Sequence, residues 1–556
     1  MIAFAALSGP LPKLGMIAVA ALAAAVILAR ESRAQAWAMA GGLVLSPFLL
    51  LADIWHSPQL GLVHRHPLAA VLGAGVALVA LAVVAYAIWR RPWLLGPLAV
   101  LALPFRVPIS VAGNTSNLLV PLYIVVAAGA LAWIARALLG DRVGGGNRVG
   151  DRVGRGNRVG DRVGGGDRAG ARPEVAGAGG SASTTTLPAG VIWLGRLLAA
   201  WLLLYALQAL YSSDFQKALQ QMLFFYLPFA LLLVLLRDLH WDRRLLTVCL
   251  VITAALAVVF AAIGFVEYET KTLLLNPRLI AANNVHTYFT VNSVFFDPDI
   301  FGRYLALVMT LLTAVLLYDD RVRTQLAVSV VLAILWVGLV LTLSRSSLAA
   351  LLVGLGALAA MRWRAWPVLA AAAVVVVAGT GALALSPRTF GLNQGLNNAS
   401  SGRASLVTGG VRMFEARPLY GYGSASFVVE YRTREHPVNP VLAASHTIPV
   451  TIAAEQGVIG LILYLPLMLV AALTLLSGAR SSGERAAIAA AFLALALHTM
   501  LYADFLEDPV TWTLLGVGSA LAVAQRRPEQ PSVTARERWL KRRAAREAHA
   551  PAGAGV

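Results

Sequence analysis

The sequence predicts an all-α polytopic membrane protein, and three observations predict it. Of its 556 residues, 58% are hydrophobic and 13% charged, where an ordinary soluble domain carries about 25% charged residues. Apolar runs of about 20 residues, the length that crosses a hydrocarbon core, recur along the whole chain. The basic residues behind the net charge of +18 sit in short segments between those runs, as cytoplasmic loops do under the positive-inside rule. That distribution argues against a nucleic-acid partner. The single cysteine, Cys249, lies within an apolar run and excludes a disulfide framework, a thiolate metal site and an iron–sulfur cluster.

Apolar runs bounded by charge or by Pro and Gly give about fifteen spans, near residues 13–30, 35–53, 68–89, 93–110, 117–139, 189–210, 217–236, 246–266, 300–318, 324–343, 346–361, 366–386, 449–476, 485–503 and 509–525. A cytoplasmic basic tail (Arg526, Arg527, Arg536, Arg538, Lys541, Arg542, Arg543, Arg546) sets the alternation. Arg90/Arg91, Arg237/Arg243/Arg244, Arg321/Arg323, Arg362/Arg364 and Arg480/Arg485 then all fall inside. The same alternation places the amino terminus outside and makes 54–67, 267–299 and 387–448 the main outer segments. No cleavage site of the Ala-x-Ala kind follows the first run, so no cleaved signal peptide is expected.

Two segments read as non-membrane. Residues 140–172 repeat Gly-Asp-Arg-Val-Gly about every ten residues and are too rich in Gly and too poor in apolar residues to bury a core. They predict a disordered cytoplasmic loop whose four Asp partly cancel its eight Arg. The tail after Gln525 is basic and suited to lie on anionic headgroups, so membrane lipids are its expected partner.

Ionisable residues deep within spans, the mark of a transport path, are few. No nucleotide-binding Gly-rich loop or Gly-x-Ser-x-Gly elbow occurs, and Asp53, His56, His64 and His66 lack metal-ligand spacing. No metal and no other cofactor is expected. The informative residues are arginines at outer span ends, where the charge rule predicts few: Arg303, in Asp297-Pro298-Asp299-Ile300-Phe301-Gly302-Arg303-Tyr304, and Arg345, in Thr342-Leu343-Ser344-Arg345-Ser346-Ser347. A lone interfacial arginine can snorkel to headgroups. Arg345, however, lies at a tight turn whose Ser344 and Ser346 can cap the next helix, a setting suited to bidentate phosphate binding.

The large outer loop ends in Ser445-His446-Thr447-Ile448-Pro449, followed by Glu455-Gln456-Gly457-Val458-Ile459-Gly460. Pro449 suits a first helical turn and Ser445 or Thr447 can cap it, which puts His446 at the amino end of a span, where the helix dipole helps keep its imidazole neutral. Gly457 and Gly460, nearly one turn apart, would let another helix approach closely. His286 and His436 lack this setting.

These residues resemble the bacterial O-antigen ligase and polymerase superfamily of integral-membrane glycosyltransferases. The ligase motif of that family is His, then Asn, Ser or Gln, nine residues and Gly-x-x-Gly. Here it reads His446-Thr447, residues 448–456 and Gly457-Val458-Ile459-Gly460, with Thr447 as a departure. Phe296-Asp297-Pro298-Asp299 with Tyr304-Leu305-Ala306, Leu341-Thr342-Leu343-Ser344-Arg345, and Gly402-Arg403 leading to Arg417-Pro418-Leu419-Tyr420-Gly421-Tyr422-Gly423 also follow the family pattern, in order, over about residues 290–475. Family ligases have about twelve spans. The resemblance therefore divides the chain into three extra amino-terminal spans (1–92), core spans 1–2 (93–139), the basic loop (140–188), core spans 3–9 (189–386), the outer loop (387–448), core spans 10–12 (449–525) and the basic tail (526–556).

The resemblance implies a glycosyltransferase of the inner membrane with its active site on the periplasmic side. It would transfer a glycan from an undecaprenyl-diphosphate donor to a hydroxyl of a lipid, glycan or protein acceptor, with inversion and without a metal. In that chemistry Arg345, with Arg303 and Arg403, binds the diphosphate and stabilises its developing charge. His446 orients or deprotonates the acceptor hydroxyl, and Glu455 supports the site or is a structural contact. Family members often have a basic residue just before the Phe-Asp-Pro segment, whereas Phe289-Thr290-Val291-Asn292-Ser293 has none. Arg303 and then Arg278 are the candidates for the missing cation, and Arg417 could brace the outer loop. Ligation and polymerisation share the donor chemistry, and the His motif favours ligation. A flippase or transporter of lipid-linked glycans, and a non-catalytic scaffold, are the rival readings.

Overall fold

The computed structural model describes residues 9–54, 66–111, 114–143, 187–275, 289–385, 403–436, 447–502 and 506–524, together with Ile280 and Asn283. The described residues contain 12 helices long and apolar enough to cross a membrane. Two further apolar segments give shorter helices, Pro92–Ala102 and Pro509–Ala524, and Ala365–Leu385 forms another apolar helix. The protein is a multi-pass membrane protein.

Helices α1 (Pro10–Leu28), α2 (Ser32–Ile54) and α3 (Pro67–Arg90) open the chain. The span expected at 93–110 is different in form. A 3₁₀ turn and the short helix α4 (Leu95–Ala102) are followed by an antiparallel hairpin, β1 (Val107–Val111) with β2 (Asn114–Leu118), in which Val107 faces Leu118. Pro104 cannot continue the helix, and Val107, Ile109 and Val111 are β-branched, so this apolar run ends as strand rather than span.

Helix α5 (Val120–Val143) and α6 (Ala189–Ala209) follow, and then α7 (Phe215–Arg237), which contains a π turn at Met222–Tyr226. Pro228 stands immediately after that turn and has no N–H to give to Phe224, a local cause for the widened turn. Helix α8 (Arg243–Thr270) is capped by the Asp242 carboxylate, which accepts from the Leu245 N–H at 2.7 Å. The remaining helices are α9 (Pro298–Tyr318), α10 (Val322–Leu341), α11 (Arg345–Arg362), α12 (Ala365–Leu385), α13 (Arg403–Ala416), α14 (Phe427–Glu435), α15 (Ile448–Leu476), α16 (Gly483–Leu501) and α17 (Pro509–Ala524).

Around the site, α9 packs on α10, α11 and α16, and α11 packs on α16. α15 packs against α6, α13 and α16. Large apolar side chains such as Val76, Val79 and Val83 on α3, and Val322, Leu326 and Val330 on α10, remain exposed, the surface expected of helices that face lipid. The expected disordered loop lies mostly, and the basic tail wholly, outside the described residues.

Candidate functional site

The starts of α9, α11 and α17 and the end of α16 meet at one end of the bundle. The chain leaves α10 through a tight turn in which Leu343 has φ 52°, and Ser344 then caps α11, its Oγ accepting from the Ser347 N–H at 3.2 Å. Gly302 allows α9 to come this close. A Cβ there would lie 2.7 Å from Ser347 Oγ.

Asp299, in the first turn of α9, reaches across to these serines. Its Oδ1 accepts from Ser344 Oγ and, at 3.1 Å, from Ser346 Oγ, while its main-chain oxygen accepts from Ser347 Oγ at 3.2 Å. His498, in the last turn of α16 and 0% exposed, places Nε2 3.3 Å from both Ser346 Oγ and Ser347 Oγ. On the other side of Asp299, Arg403 Nη2 is 3.6 Å from Oδ2, and Arg403 Nη1 donates to the Leu501 carbonyl at 3.2 Å. The outer loop is thereby tied to α9 and α16.

Asp297 caps α9 through the Asp299 N–H at 2.7 Å and accepts from the Tyr502 hydroxyl at 2.9 Å. Burial, and then the neighbouring Asp299, push its carboxyl above the usual carboxylate range, against the opposing pull of the Tyr502 hydroxyl.

The three predicted arginines differ in state. Arg303 is buried and paired with Asp508 at 2.6 Å, the two side chains being 4% and 3% exposed. The structure thus pairs with Asp508 one nitrogen of a guanidinium that the sequence assigned to a diphosphate, while its Nη1 has no partner among the described residues. Arg403 is 41% exposed and shares Asp299. Arg345 is exposed at the first position of α11 and makes no ion pair among the described residues. Of the three, its guanidinium is the one most free to take an external anion. His446 and Arg278 lie outside the described residues. Thr447 stands at the N-cap of α15 with Pro449 in the first turn, as the sequence predicts, although the threonine side chain makes no capping bond.

The Gly-x-x-Gly motif does something other than expected. The sequence predicts another helix against Gly457 and Gly460; instead, α15 itself breaks at Gly457 (φ 65°, ψ −158°) and the segment 418–423 enters the break. Four backbone bonds join them: Val458 N–H to Pro418 O (2.7 Å), Ile459 N–H to Leu419 O (3.3 Å), Tyr422 N–H to Ala454 O (3.2 Å) and Gly423 N–H to Glu455 O (2.7 Å). In an unbroken helix Val458 and Ile459 would bond to the carbonyls of Ala454 and Glu455. The inserted segment thus satisfies the carbonyls of Ala454 and Glu455 and the N–H groups of Val458 and Ile459, and Gln208 Nε2 donates to the Gln456 carbonyl at 3.2 Å, the kind of pairing on which a broken helix survives in a membrane. Gly460 makes room for Gln456 and Ile452 of its own helix.

Glu455 is a brace of this insertion rather than a group facing a ligand. Its buried carboxylate accepts from the N–H groups of Ala425 (2.8 Å) and Phe427 (3.0 Å). Glu455→Gln aims an amide N–H₂ at one of two buried donors, and we expect it to destabilise the protein by about 1–3 kcal/mol. A lower melting temperature in detergent checks this; an unchanged one contradicts the brace. Arg417 stacks over the Tyr422 ring, its guanidinium carbon 4.4 Å from the centroid, and Arg434 lies at 4.4 Å from the same ring. Arg417 therefore sits on the inserted segment, where the sequence reading placed its bracing role.

Beside the cluster, a cleft of about 1680 Å³ runs between α8, α9, α10, α16 and α17. Arg303, Tyr304 and Asp508 line one part of it and Arg243, Arg321 and Glu484 another, with mostly apolar side chains between. Sequence reasoning missed His498, Asp508 and the role of Asp299. The available signal was acidic: once arginines are unexpected at one end of the spans, the carboxylates flanking the same ends, Asp297, Asp299, Glu507 and Asp508, are the residues to pair with them.

Helices with lipid-facing apolar surfaces and a polar cluster where several span ends converge define a multi-pass membrane protein with a site at one end of its bundle. Residues 329–465 match the O-antigen ligase family. The match includes Arg345, Arg403, Arg417, Glu455, Gly457 and Gly460, and also spans His446. No curated protein and no solved structure matches the chain.

Proposed function

We propose that the protein is an O-antigen ligase-type glycosyltransferase of the inner membrane, working at its outer face. It moves a glycan from an undecaprenyl-diphosphate donor to an acceptor hydroxyl. The observation that carries this reading is Arg345: an exposed guanidinium at the start of an 18-residue helix, beside three serine hydroxyls and within the segment that matches the O-antigen ligase family. Backbone N–H groups, helix dipole and guanidinium there all favour an anion.

In this reading the acceptor oxygen attacks the anomeric carbon of the donor sugar from the face opposite the diphosphate. The carbon–oxygen bond to the diphosphate breaks, undecaprenyl diphosphate leaves, and the hydroxyl proton passes to His446. Arg345, aided by Arg403, carries the charge that grows on the leaving diphosphate. Arg303, already neutralised by Asp508, holds α9 to the start of α17. The apolar cleft beside the cluster suits the isoprenoid chain, and the resemblance carries no metal requirement.

The test is product mass after purified protein is incubated with undecaprenyl-diphosphate glycan and an acceptor lipid. One glycan per acceptor is the result expected of a ligase; a ladder of repeats makes the protein a polymerase. Movement of intact donor between leaflets with no product overturns the reading in favour of a flippase.

A further inference from the structure

Asp299 occupies the position at which the proposed function needs an anion. Its carboxylate accepts from Ser344 and Ser346 at the start of α11 and meets Arg403 at 3.6 Å. Those hydroxyls, that helix end and that arginine are the donors a diphosphate would use. The carboxylate is also reachable from solvent. The Asp299 side chain is 21% exposed and its ion pair with the 41%-exposed Arg403 is of the weak, solvated kind.

Two buried polar atoms of the same cluster, Arg303 Nη1 and His498 Nδ1, have no hydrogen-bond partner among the described residues. Folded chains satisfy roughly 90% or more of such groups, so the cluster retains hydrogen-bonding capacity for a ligand oxygen.

We infer that Asp299 is an internal stand-in for the donor diphosphate: it holds the serine hydroxyls and Arg403 while the site is empty and gives them up when the diphosphate binds. This rests on the diphosphate reading of the site and adds a regulatory step to it. Two charges cannot share the cradle, because a carboxylate within a few ångströms of a phosphate opposes its binding. The exchange has a consequence for the outer loop. Arg403 is the first residue of α13, and its bonds to Asp299 and Leu501 tie the start of that helix to α9 and α16. Releasing Asp299 frees Arg403 to follow the diphosphate. Donor binding then loosens the start of α13, within the segment that leads on to His446.

Asp299→Asn keeps an oxygen for the two serines and removes the competing charge. In detergent-solubilised full-length protein, calorimetric titration with inorganic pyrophosphate is expected to show binding about fivefold tighter or more in Asp299→Asn than in wild type. Arg345→Ala should bind more weakly than wild type. Hydrogen exchange supplies a readout that a purely structural aspartate would not move: amides of α13 should lose protection when pyrophosphate is added to wild type, and show no further loss on its addition to Asp299→Asn. Arg345-dependent binding that Asp299→Asn leaves unchanged or weakens overturns the exchange alone, as does α13 protection indifferent to bound pyrophosphate. Absence of binding in wild type and both variants overturns the diphosphate reading itself.

Discussion

Gly457→Ala is expected to abolish the yield of monodisperse protein in mild detergent, with any surviving fraction melting well below wild type. The backbone at Gly457, φ 65° and ψ −158°, lies in a region essentially closed to residues with a Cβ, at a cost of about 1–3 kcal/mol. An added Cβ would also lie 2.5 Å from the Leu419 carbonyl carbon. It would drive the inserted segment out of α15 and expose the four backbone bonds at the break, each worth about 1 kcal/mol and more when left unmade in a buried site. Gly421, with φ 65°, faces the same break from the other strand of chain, so Gly421→Ala should act the same way. Gly356→Ala is the control: a Cβ there meets Val368 at 3.6 Å, ordinary contact within a regular helix, and should be neutral or slightly stabilising. Normal yield and melting for Gly457→Ala would mean that the break is not required.

Asp508→Ala carries the second large effect. It leaves the Arg303 guanidinium buried without its carboxylate, and removing one partner of a buried pair costs about 3–5 kcal/mol. The charge-free double variant Arg303→Met/Asp508→Leu should recover most of that loss, since apolar replacements of similar volume can stand in for a buried pair. The double variant also separates two roles for Arg303. Recovered stability with pyrophosphate binding intact identifies a brace between α9 and α17. Recovered stability with binding lost would make Arg303 a ligand of the donor, as the sequence alone suggests.

How much of this was legible in the sequence depends on the range of the interaction. Span positions were readable because each is a local apolar window bounded by charges, and fourteen of the fifteen expected segments are found as helices near their expected places. The exception, 93–110, is as apolar as the others, but Pro104 and the β-branched alternation beyond it decide its form. The cap at Ser344 and the exposed Arg345 were readable because the turn is local. Partners were not. Nothing near Arg303 in sequence names Asp508, 205 positions away by the numbering, and nothing near Ser346 names His498. At Gly457 the local signal misled, because Gly-x-x-Gly reads as a helix-packing pair. The observed backbone insertion depends on Pro418 to Gly423, whose relation to Gly457 exists only in the folded chain.

The assignment of activity turns on whether Arg345 and His446 act on a lipid-diphosphate donor without a metal. The most direct measurement is glycan transfer by purified wild-type protein, His446→Ala and Arg345→Ala, from undecaprenyl-diphosphate glycan in the presence of EDTA, with unchanged melting temperatures as the check on folding. The account predicts product from wild type. It predicts a rate lower by about 10²–10³ in Arg345→Ala, where leaving-group charge goes uncompensated, and by about 10²–10⁴ in His446→Ala, where the acceptor proton has no base. Transfer at the wild-type rate by both folded variants, or wild-type transfer that requires added metal, would contradict it.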